Sequence, residues 1–269
     1  DILAWADGRL YDLIARYLRK FDAWNVKTII RGVYSGAPRE EVESDLIRAG
    51  EFDDRLISRL LDAGEMEEVV TALSGTIFGD GLAAAYEEYE DVGVLVPLEN
   101  AVDRAFYEQL LDGLVVGEEA KQYREFLEAE IDFRNARNAL RIARSGADLD
   151  PVDYFIEGGK LFRASELASL ATSPDELVSK IRDSRYGDRL STALSDLEEA
   201  DSLIGFERAL DAALLEYADT LGYVFPLSVT PIVSYILAKE REVDNIRAIA
   251  RGREAGLDPD AIEAELVIL

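Results

Sequence analysis

The sequence predicts an all-α protein, because helical periodicity and helix-start signals are frequent while strand patterns are nearly absent. Apolar residues recur at three- and four-residue steps through RLYDLIARYLRKF (9–21) and FERALDAALLEYADTL (206–221), the spacing of helices that bury one face. SPDEL (173–177) and LDPDAIEAE (257–265) combine a polar cap, a proline in the first turn and acidic residues after it, as helix starts do. Only VGVLV (92–96) offers a short candidate strand.

One phrase of the sequence occurs three times, anchored at equal intervals on Asn25, Asn135 and Asn245. Each copy has an acid three residues before the anchor, a base two after it, an arginine six after it and a glycine eleven after it. In chain order these are Asp22, Asp132 and Glu242; Lys27, Arg137 and Arg247; Arg31, Arg141 and Arg251; Gly36, Gly146 and Gly256. Repetition at a fixed interval indicates duplicated structural units.

Fainter similarity extends the repeat to a whole domain. The matching features, separated by nearly the same interval as the anchors, are FGDGL (78–82) with YGDRL (186–190), Glu99 with Glu207, and Asp103 with Asp211. We therefore predict three similar helical domains, 1–52, 53–162 and 163–269, of which the first is only the C-terminal part of its unit. From the interval between the anchors and the short segment before Asn25, we expect that roughly 80 residues of the first domain precede the chain and that a complete chain has about 350.

Each copy of the phrase is predicted to form a helical hairpin. At about 100° per residue, Val26, Ile29 and Ile30 share one apolar face of the first helix, and the second copy repeats this pattern. The anchor asparagine and the acid fall at or beside that face, and the two bases fall toward the other side. The glycine eleven residues after the anchor suits a left-handed helix stop before a short second helix.

The repeated polar residues allow more than one interpretation. The acid and the asparagine either form hydrogen bonds across the packed helices or contact a ligand or partner; the first is favoured, because a residue present in every copy serves what each copy needs for itself. The bases can pair with an acid of the same chain or with one on a partner, and the helical wheel does not decide. The candidate subunit contacts are Lys27, Arg31, Arg137, Arg141, Arg247 and Arg251.

Composition limits both chemistry and partners. The chain has no cysteine and no histidine, which excludes disulfides, thiol nucleophiles and the commonest general base and metal ligand. Its 55 acidic residues against 29 basic ones give a net charge of −26, which argues against nucleic acid or anionic lipid as a direct partner. Such a surface is typical of a cytosol holding molar salt, where the screening length falls to about 3 Å. An ordinary acidic subunit that binds basic partners is the other interpretation.

A stretch without charge, 220–238, approaches the length of a membrane span. It contains Pro226 and Pro231, and strongly polar sequence surrounds it, so we predict a broken, buried helix end and no transmembrane segment. The first residues, DILAWADGRL, have no basic leader, and no signal peptide is expected.

Clusters of carboxylates raise the alternative of an acid-catalysed or Mg²⁺-dependent enzyme. The clusters are AGEMEEV (63–69), YEEYED (86–91), GEEA (117–120) and DLEEAD (196–201). In so acidic a protein, such runs are typical of solvated helix faces, and no nucleotide-binding, metalloprotease or nucleophile-elbow motif occurs. SGTIFGDG (74–81) is rich in glycine but lacks the lysine of a phosphate-binding loop, and we interpret it as a helix break. No cofactor or catalytic residue is predicted.

Two segments resemble a known family: FDAWNVKTIIRGVYSGAPREEV (21–42) and KEREVDNIRAIARGREAGLDPDAIEAELVI (239–268). They are similar to the C subunit of archaeal and bacterial A/V-type ATP synthases, which is related to the d subunit of the vacuolar ATPase. The resemblance covers essentially the whole chain, but the family's opening segment is absent. It implies three similar helical domains in a pseudo-threefold funnel, the first of them truncated here.

The resemblance also implies a non-catalytic rotor subunit. One copy would join the central shaft subunits of the ATPase head to the membrane rotor ring, at the cytoplasmic face of the cell membrane as a peripheral member of a hetero-oligomeric complex. A free-standing acidic helical-repeat scaffold that binds an unrelated partner is the alternative function.

Overall fold

A computed structural model describes residues 2–112, 114, 118–145, 149–170, 172–187, 203–263 and 266–267. Within these ranges all regular secondary structure is helical, so the prediction of an all-α fold is confirmed. A 3₁₀ helix, Ile2–Trp5, precedes α1 (Gly8–Leu18), α2 (Lys20–Ser35), α3 (Arg39–Ser44), α4 (Asp54–Leu61), α5 (Met66–Leu73), α6 (Gly79–Val92), α7 (Val96–Asp112), α8 (Glu118–Ser145), α9 (Ala164–Leu170), α10 (Pro174–Arg182), α11 (Leu203–Val224), α12 (Thr230–Glu254) and α13 (Pro259–Glu263).

The chain forms two compact units. The first takes in Asp1–Leu114, Ala147–Leu149 and Asp153–Gly158, and the second takes in Val115–Gly146, Asp150–Val152 and Gly159–Leu269. The predicted division into three domains and their pseudo-threefold funnel arrangement stay predictions.

In the first unit, helix α2 packs against α5 and α7, and α6 packs along α7. Its core contains aliphatic side chains with no more than 1% exposure, among them Ile30 of α2, Leu60 of α4 and Val102 of α7. Helix α2 therefore lies at the centre of this unit, as its predicted apolar face requires.

In the second unit, helix α8 packs against α11, and α11 packs against α12. Three tyrosines, Tyr123, Tyr186 and Tyr217, are buried in its core. Tyr186 meets Phe133 and Tyr217 edge to face, with ring centroids 5.8 and 5.3 Å apart, the arrangement that aromatic rings prefer.

The repeated glycine stop is confirmed in two of its three copies. Gly36 and Gly256 have φ of +68° and +73°, the left-handed conformation that ends a helix at low cost for glycine. In both copies the next residue donates a backbone hydrogen bond to the carbonyl five residues earlier, from Ala37 to Gly32 and from Leu257 to Gly252. The third position, Gly146, lies outside the described residues.

The candidate strand VGVLV is wrong. Helix α6 ends at Val92, Gly93 adopts φ of +68°, and α7 begins at Val96. Since Gly93 stops one helix and Pro97 suits the first turn of the next, this short apolar run joins two helices.

The uncharged stretch is broken as predicted, but its turn is not buried. Helix α11 ends at Val224 and α12 begins at Thr230, while Tyr223, Val224 and Leu227 are exposed. The side chains at the tip of this turn extend away from the packed helices. No helix in the part of the chain that the structure describes is long and apolar enough to cross a membrane.

Candidate functional site

The repeated acid holds the loop that follows its own helical hairpin. Asp22 on α2 accepts hydrogen bonds from the backbone N–H groups of Glu51 and Phe52, at 2.7 and 3.1 Å. Asp132 on α8 accepts from the corresponding N–H groups of Lys160 and Leu161, both at 3.0 Å. Each carboxylate therefore fixes a chain reversal well beyond its own helix in the sequence, which is a structural role.

A glycine makes each of these carboxylate–loop contacts possible. A Cβ atom on Gly50 would overlap the Asp22 carboxylate, and one on Gly159 would overlap the Asp132 carboxylate. Neither glycine has a positive φ, so the reason for glycine here is close approach and not backbone conformation. Both glycines stand at nearly the same distance from their acids in the sequence, which is a signal that sequence reasoning missed.

The second copy adds a side-chain donor. Tyr186 donates its hydroxyl hydrogen to the Asp132 carboxylate at 2.7 Å, whereas the corresponding residue of the first copy is Phe78. Burial raises the pKa of Asp132, and the hydrogen bonds from Lys160, Tyr186 and Leu161 oppose part of that rise. Burial likewise raises the pKa of Asp22. These acids are desolvated, and their donors compensate for the lost water.

The anchor asparagine closes the hairpin with two hydrogen bonds to the backbone of a single residue. Asn25 donates to the carbonyl of Ile47 at 2.9 Å and accepts from the N–H of the same residue at 2.8 Å. Asn245 makes the same two bonds with Val267, at 2.8 and 3.0 Å. Asn135 is buried on α8. An amide supplies both a donor and an acceptor, which explains why asparagine stands at this position.

The third acid lies in a different environment. Glu242 on α12 is exposed and pairs with Lys239, one turn earlier on the same helix. Asp22 and Asp132 are both buried. The third copy therefore keeps the two hydrogen bonds of the anchor asparagine but has no buried carboxylate.

The repeated bases of the first two copies meet acids of the following repeat. Lys27 pairs with Asp103 at 2.5 Å, and Arg31 pairs with Glu99 at 2.6 Å. One repeat later, Arg137 pairs with Asp211, and Arg141 pairs with Glu207 through two hydrogen bonds. We call each set of two ion pairs a junction: the first joins α2 to α7, and the second joins α8 to α11.

The geometry of a junction follows from helical spacing. Both bases and both acids stand four residues apart on their helices, so each pair projects from one side of its helix about one turn apart. Sequence reasoning identified the repeated bases and the repeated acids separately but did not pair them. Their equal four-residue spacing, copied from one repeat to the next, was the signal that connects them.

The second junction contains an additional base. Asp211 also accepts a hydrogen bond from Arg241 at 2.9 Å. Burial would raise the pKa of Asp211, but Arg137 and Arg241 outweigh burial and hold that pKa below its ordinary value. This carboxylate is therefore ionised at neutral pH and ties α8 and α12 to α11.

The two remaining candidate contacts lie on α12. Arg247 is half-buried and Arg251 is exposed. They occupy the positions of the junction bases in the third copy. As contacts to another subunit, these two residues and the four junction bases stay predictions.

Among the described residues, the carboxylate clusters do not combine into a metal-binding group. No group of three or more acids among them lies close enough together to hold a metal ion. Glu67, Glu87 and Glu90, from two of the carboxylate clusters, are exposed. The cluster DLEEAD (196–201) lies outside the described residues.

An open groove of about 650 Å³ in the first unit is lined by side chains of both charge signs, including Glu51, Asp53, Arg55 and Arg59. The SGTIFGDG segment contributes Ser74, Gly75 and Thr76 to its wall and separates α5 from α6, as the helix-break interpretation predicts.

Comparison with known proteins decides the family. Residues 1–265 match the family described as ATP synthase (C/AC39) subunit. The chain belongs to this family. It is 95% identical over 269 residues to the A-type ATP synthase C subunit of Haloferax volcanii, covering all of this chain and 77% of that protein.

More distant relatives carry the same name. The A-type ATP synthase C subunit of Haloquadratum walsbyi is 68% identical over 99% of this chain and 78% of its own length. That of Methanococcoides burtonii is 34% identical over 98% of this chain and 73% of its own length. The resemblance seen in the repeated phrase is thus confirmed, and the similarity to proteins of halophilic archaea agrees with the acidic composition.

Proposed function

We propose that this protein is a non-catalytic central-stalk subunit of a rotary A-type ATP synthase. In this role one copy couples the central shaft of the ATPase head to the membrane rotor ring, during ion-driven ATP synthesis or ATP-driven ion pumping. It lies at the cytoplasmic face of the membrane as a peripheral part of the complex. Membership in the ATP synthase (C/AC39) subunit family supports the assignment to this complex.

The repeated junction is the observation that carries the coupling role. A subunit that transmits torque must resist shear between its parts, and shear is resisted where packed helices are tied at more than one point along their length. Lys27 and Arg31 tie α2 to α7 at two points one helical turn apart, and Arg137 and Arg141 do the same for α8 and α11. Sliding one helix along the other would separate both ion pairs at once.

The buried carboxylate–loop contacts add stiffness within the first two repeats. Asp22 and Asp132 hold their loops through two backbone N–H groups each, without any long flexible side chain in between. A scaffold that only recruits a partner does not require this internal bracing. The arrangement therefore favours the coupling role over the free-standing scaffold.

A pull-down at native salt tests the proposal. The protein, tagged in its own cells and purified in molar potassium chloride, should recover the head and shaft polypeptides of the ATP synthase, identified by mass spectrometry. A matched variant, Lys27→Glu with Arg137→Glu, places acids against Asp103 and Asp211 and should recover them less well, because it disrupts both junctions. Recovery of an unrelated protein with no synthase subunit would replace the proposal by the scaffold alternative.

A further inference from the structure

The open groove of the first unit brings arginine side chains and hydroxyl groups together. Arg55 and Arg59 line it from α4, where a spacing of four residues places them about one helical turn apart on the same side of the helix. Thr71 lines it from the last turn of α5 and Ser74 from the residue after that helix, and both are exposed. Guanidinium and hydroxyl groups are donors that proteins use to bind phosphate.

These donors are mostly not engaged by the protein itself. Within the residues that the structure describes, the guanidinium group of Arg55 forms no ion pair or hydrogen bond, and neither does the hydroxyl group of Thr71 or of Ser74. Arg59 donates one hydrogen bond to the carbonyl of Ala72, which holds its guanidinium at the groove, and a guanidinium has five N–H donors in all. An anion in the groove would supply acceptors for these groups.

The two acids of the groove already have partners. Glu51 accepts two hydrogen bonds from Arg19, at 2.7 and 3.1 Å. Asp53 caps α4 and accepts a hydrogen bond from the backbone N–H of Leu56 at 2.7 Å. With Arg19, the two groove arginines outnumber these acids. The net charge of −26 repels anions from a distance, but in molar salt the screening length is about 3 Å, so the charges that touch the ligand decide its binding.

The groove also offers an apolar surface beside its arginines. Phe52 and Leu56 line it, and both are half-buried. The ring of Phe52 meets that of Phe78 edge to face, with centroids 5.9 Å apart, which holds it in place. The volume of about 650 Å³ lies within the range of sites that take a whole small molecule.

We infer that this groove binds a small phosphate monoester that carries an aromatic group, with its phosphate between Arg55 and Arg59 and its aromatic group against Phe52. The SGTIFGDG segment lacks the lysine of a phosphate-binding loop, but the arginines of α4 supply the positive charge, and Ser74 of that segment supplies a hydroxyl donor. The inference goes beyond the proposed function and does not depend on it, since binding of a small molecule neither requires nor excludes a place in the rotor.

Titration with AMP, adenosine and inorganic phosphate tests the two parts of the ligand separately. In saturation-transfer NMR with the protein in molar potassium chloride, AMP should give a saturable signal. Adenosine should bind at least about tenfold more weakly, because it lacks the charge-assisted hydrogen bonds to the arginines. Inorganic phosphate should displace AMP but bind more weakly than AMP, because it does not contact Phe52. Absence of AMP binding, or adenosine binding as tight as that of AMP, would overturn the inference.

Variants of the groove locate the site. Arg55→Gln should weaken AMP binding about tenfold and leave the unfolding temperature unchanged, because this guanidinium is exposed and holds no other element. Arg55→Lys should lose less, since it keeps the charge without the fork of donors. Arg253→Gln, at an exposed arginine of α12 in the second unit, is the matched control and should bind AMP as the native protein does. In the native protein, AMP should shift the backbone amide signals of Ser74 and Gly75. Native affinity in Arg55→Gln, or shifts confined to another region, would show that the groove is not the site and overturn the inference.

Discussion

The two ion pairs of a junction differ in how much water surrounds them. The side chains of Lys27 and Asp103 are 11% and 9% exposed, whereas those of Arg31 and Glu99 are 46% and 21% exposed. A buried pair depends on both partners, since either charge left alone has neither water nor a counterion. An exposed pair exchanges its partner for water at little cost. The two pairs should therefore respond very differently to the same substitution.

Lys27→Met should lower the free energy of unfolding by about 3 kcal/mol, because it removes the Lys27 cation from beside the buried Asp103 carboxylate. Arg31→Met, the matched change one turn later, should cost no more than about 1 kcal/mol. Urea unfolding in molar salt, followed by circular dichroism, measures both values. The double variant Lys27→Met with Asp103→Leu should recover much of the loss. Equal costs for the two single variants would show that burial does not distinguish the pairs.

At the residue scale, the sequence identified the repeated polar residues but not the partners that they contact. The structural interpretation of Asp22, Asp132 and Asn25 agrees with their hydrogen bonds to backbone groups. A helical wheel places a residue on a face but does not identify a partner several helices away in the sequence, so the junctions could not be derived from it. The contact from Tyr186 to Asp132 was equally hidden, because the first copy has phenylalanine at that position and the repeat gave no polar signal.

At the scale of elements, the hairpins depend on close approaches that only glycine permits. Gly32 on α2 faces the side chain of Val42 on α3, and Gly252 on α12 faces Ile262 on α13, where a Cβ atom would lie 2.7 Å from Ile262 Cγ1. The loop after the hairpin approaches α2 in the same manner, with Gly50 against Asp22. The repeated contacts between elements are therefore set by small residues as well as by apolar ones.

Gly50→Ala should lower the free energy of unfolding by about 2 kcal/mol or more, because the added methyl group forces Asp22 away from the N–H groups of Glu51 and Phe52 and leaves buried polar groups unsatisfied. Gly75→Ala is the control, since a Cβ atom there meets nothing within 4 Å. Its effect should stay within about 0.5 kcal/mol. Thermal and urea unfolding of both variants give the comparison, and a neutral Gly50→Ala would mean that the loop moves freely.

Helix type and helix stops could be predicted because they depend on local periodicity and on glycine. The errors arose where tertiary context decides. VGVLV has strand-forming residues, but Gly93 ends one helix and Pro97 lies in the first turn of the next, so the segment connects two helices. The uncharged turn was expected to be buried because it is apolar. Hydropathy alone, however, does not determine whether another helix packs over a turn, and Leu227 is exposed.

For the whole molecule, charge opposes the fold at low salt. With 55 acidic and 29 basic residues, the average interaction between surface charges is repulsive, although individual junction pairs are attractive. Salt weakens both the repulsion among the acids and the attraction within the ion pairs. The repulsion is weakened more, because it acts among many exposed acids over long distances, whereas the pair of Lys27 and Asp103 is buried and screened less. Raising the salt concentration should therefore stabilise the protein overall.

Lowering potassium chloride from molar to about 0.01 M lengthens the screening distance from about 3 Å to about 30 Å and should loosen the helical fold, seen as lost circular dichroism or a lower unfolding temperature. A variant with Glu67→Gln, Glu87→Gln and Asp91→Asn removes three exposed acids from α5 and α6 and should need less salt to reach the same stability. Sucrose in place of salt should not substitute fully, because it carries no charge and cannot screen. If helicity and unfolding temperature stay constant across this range, the attractive pairs balance the repulsion, and the acidic surface has no role in stability at high salt.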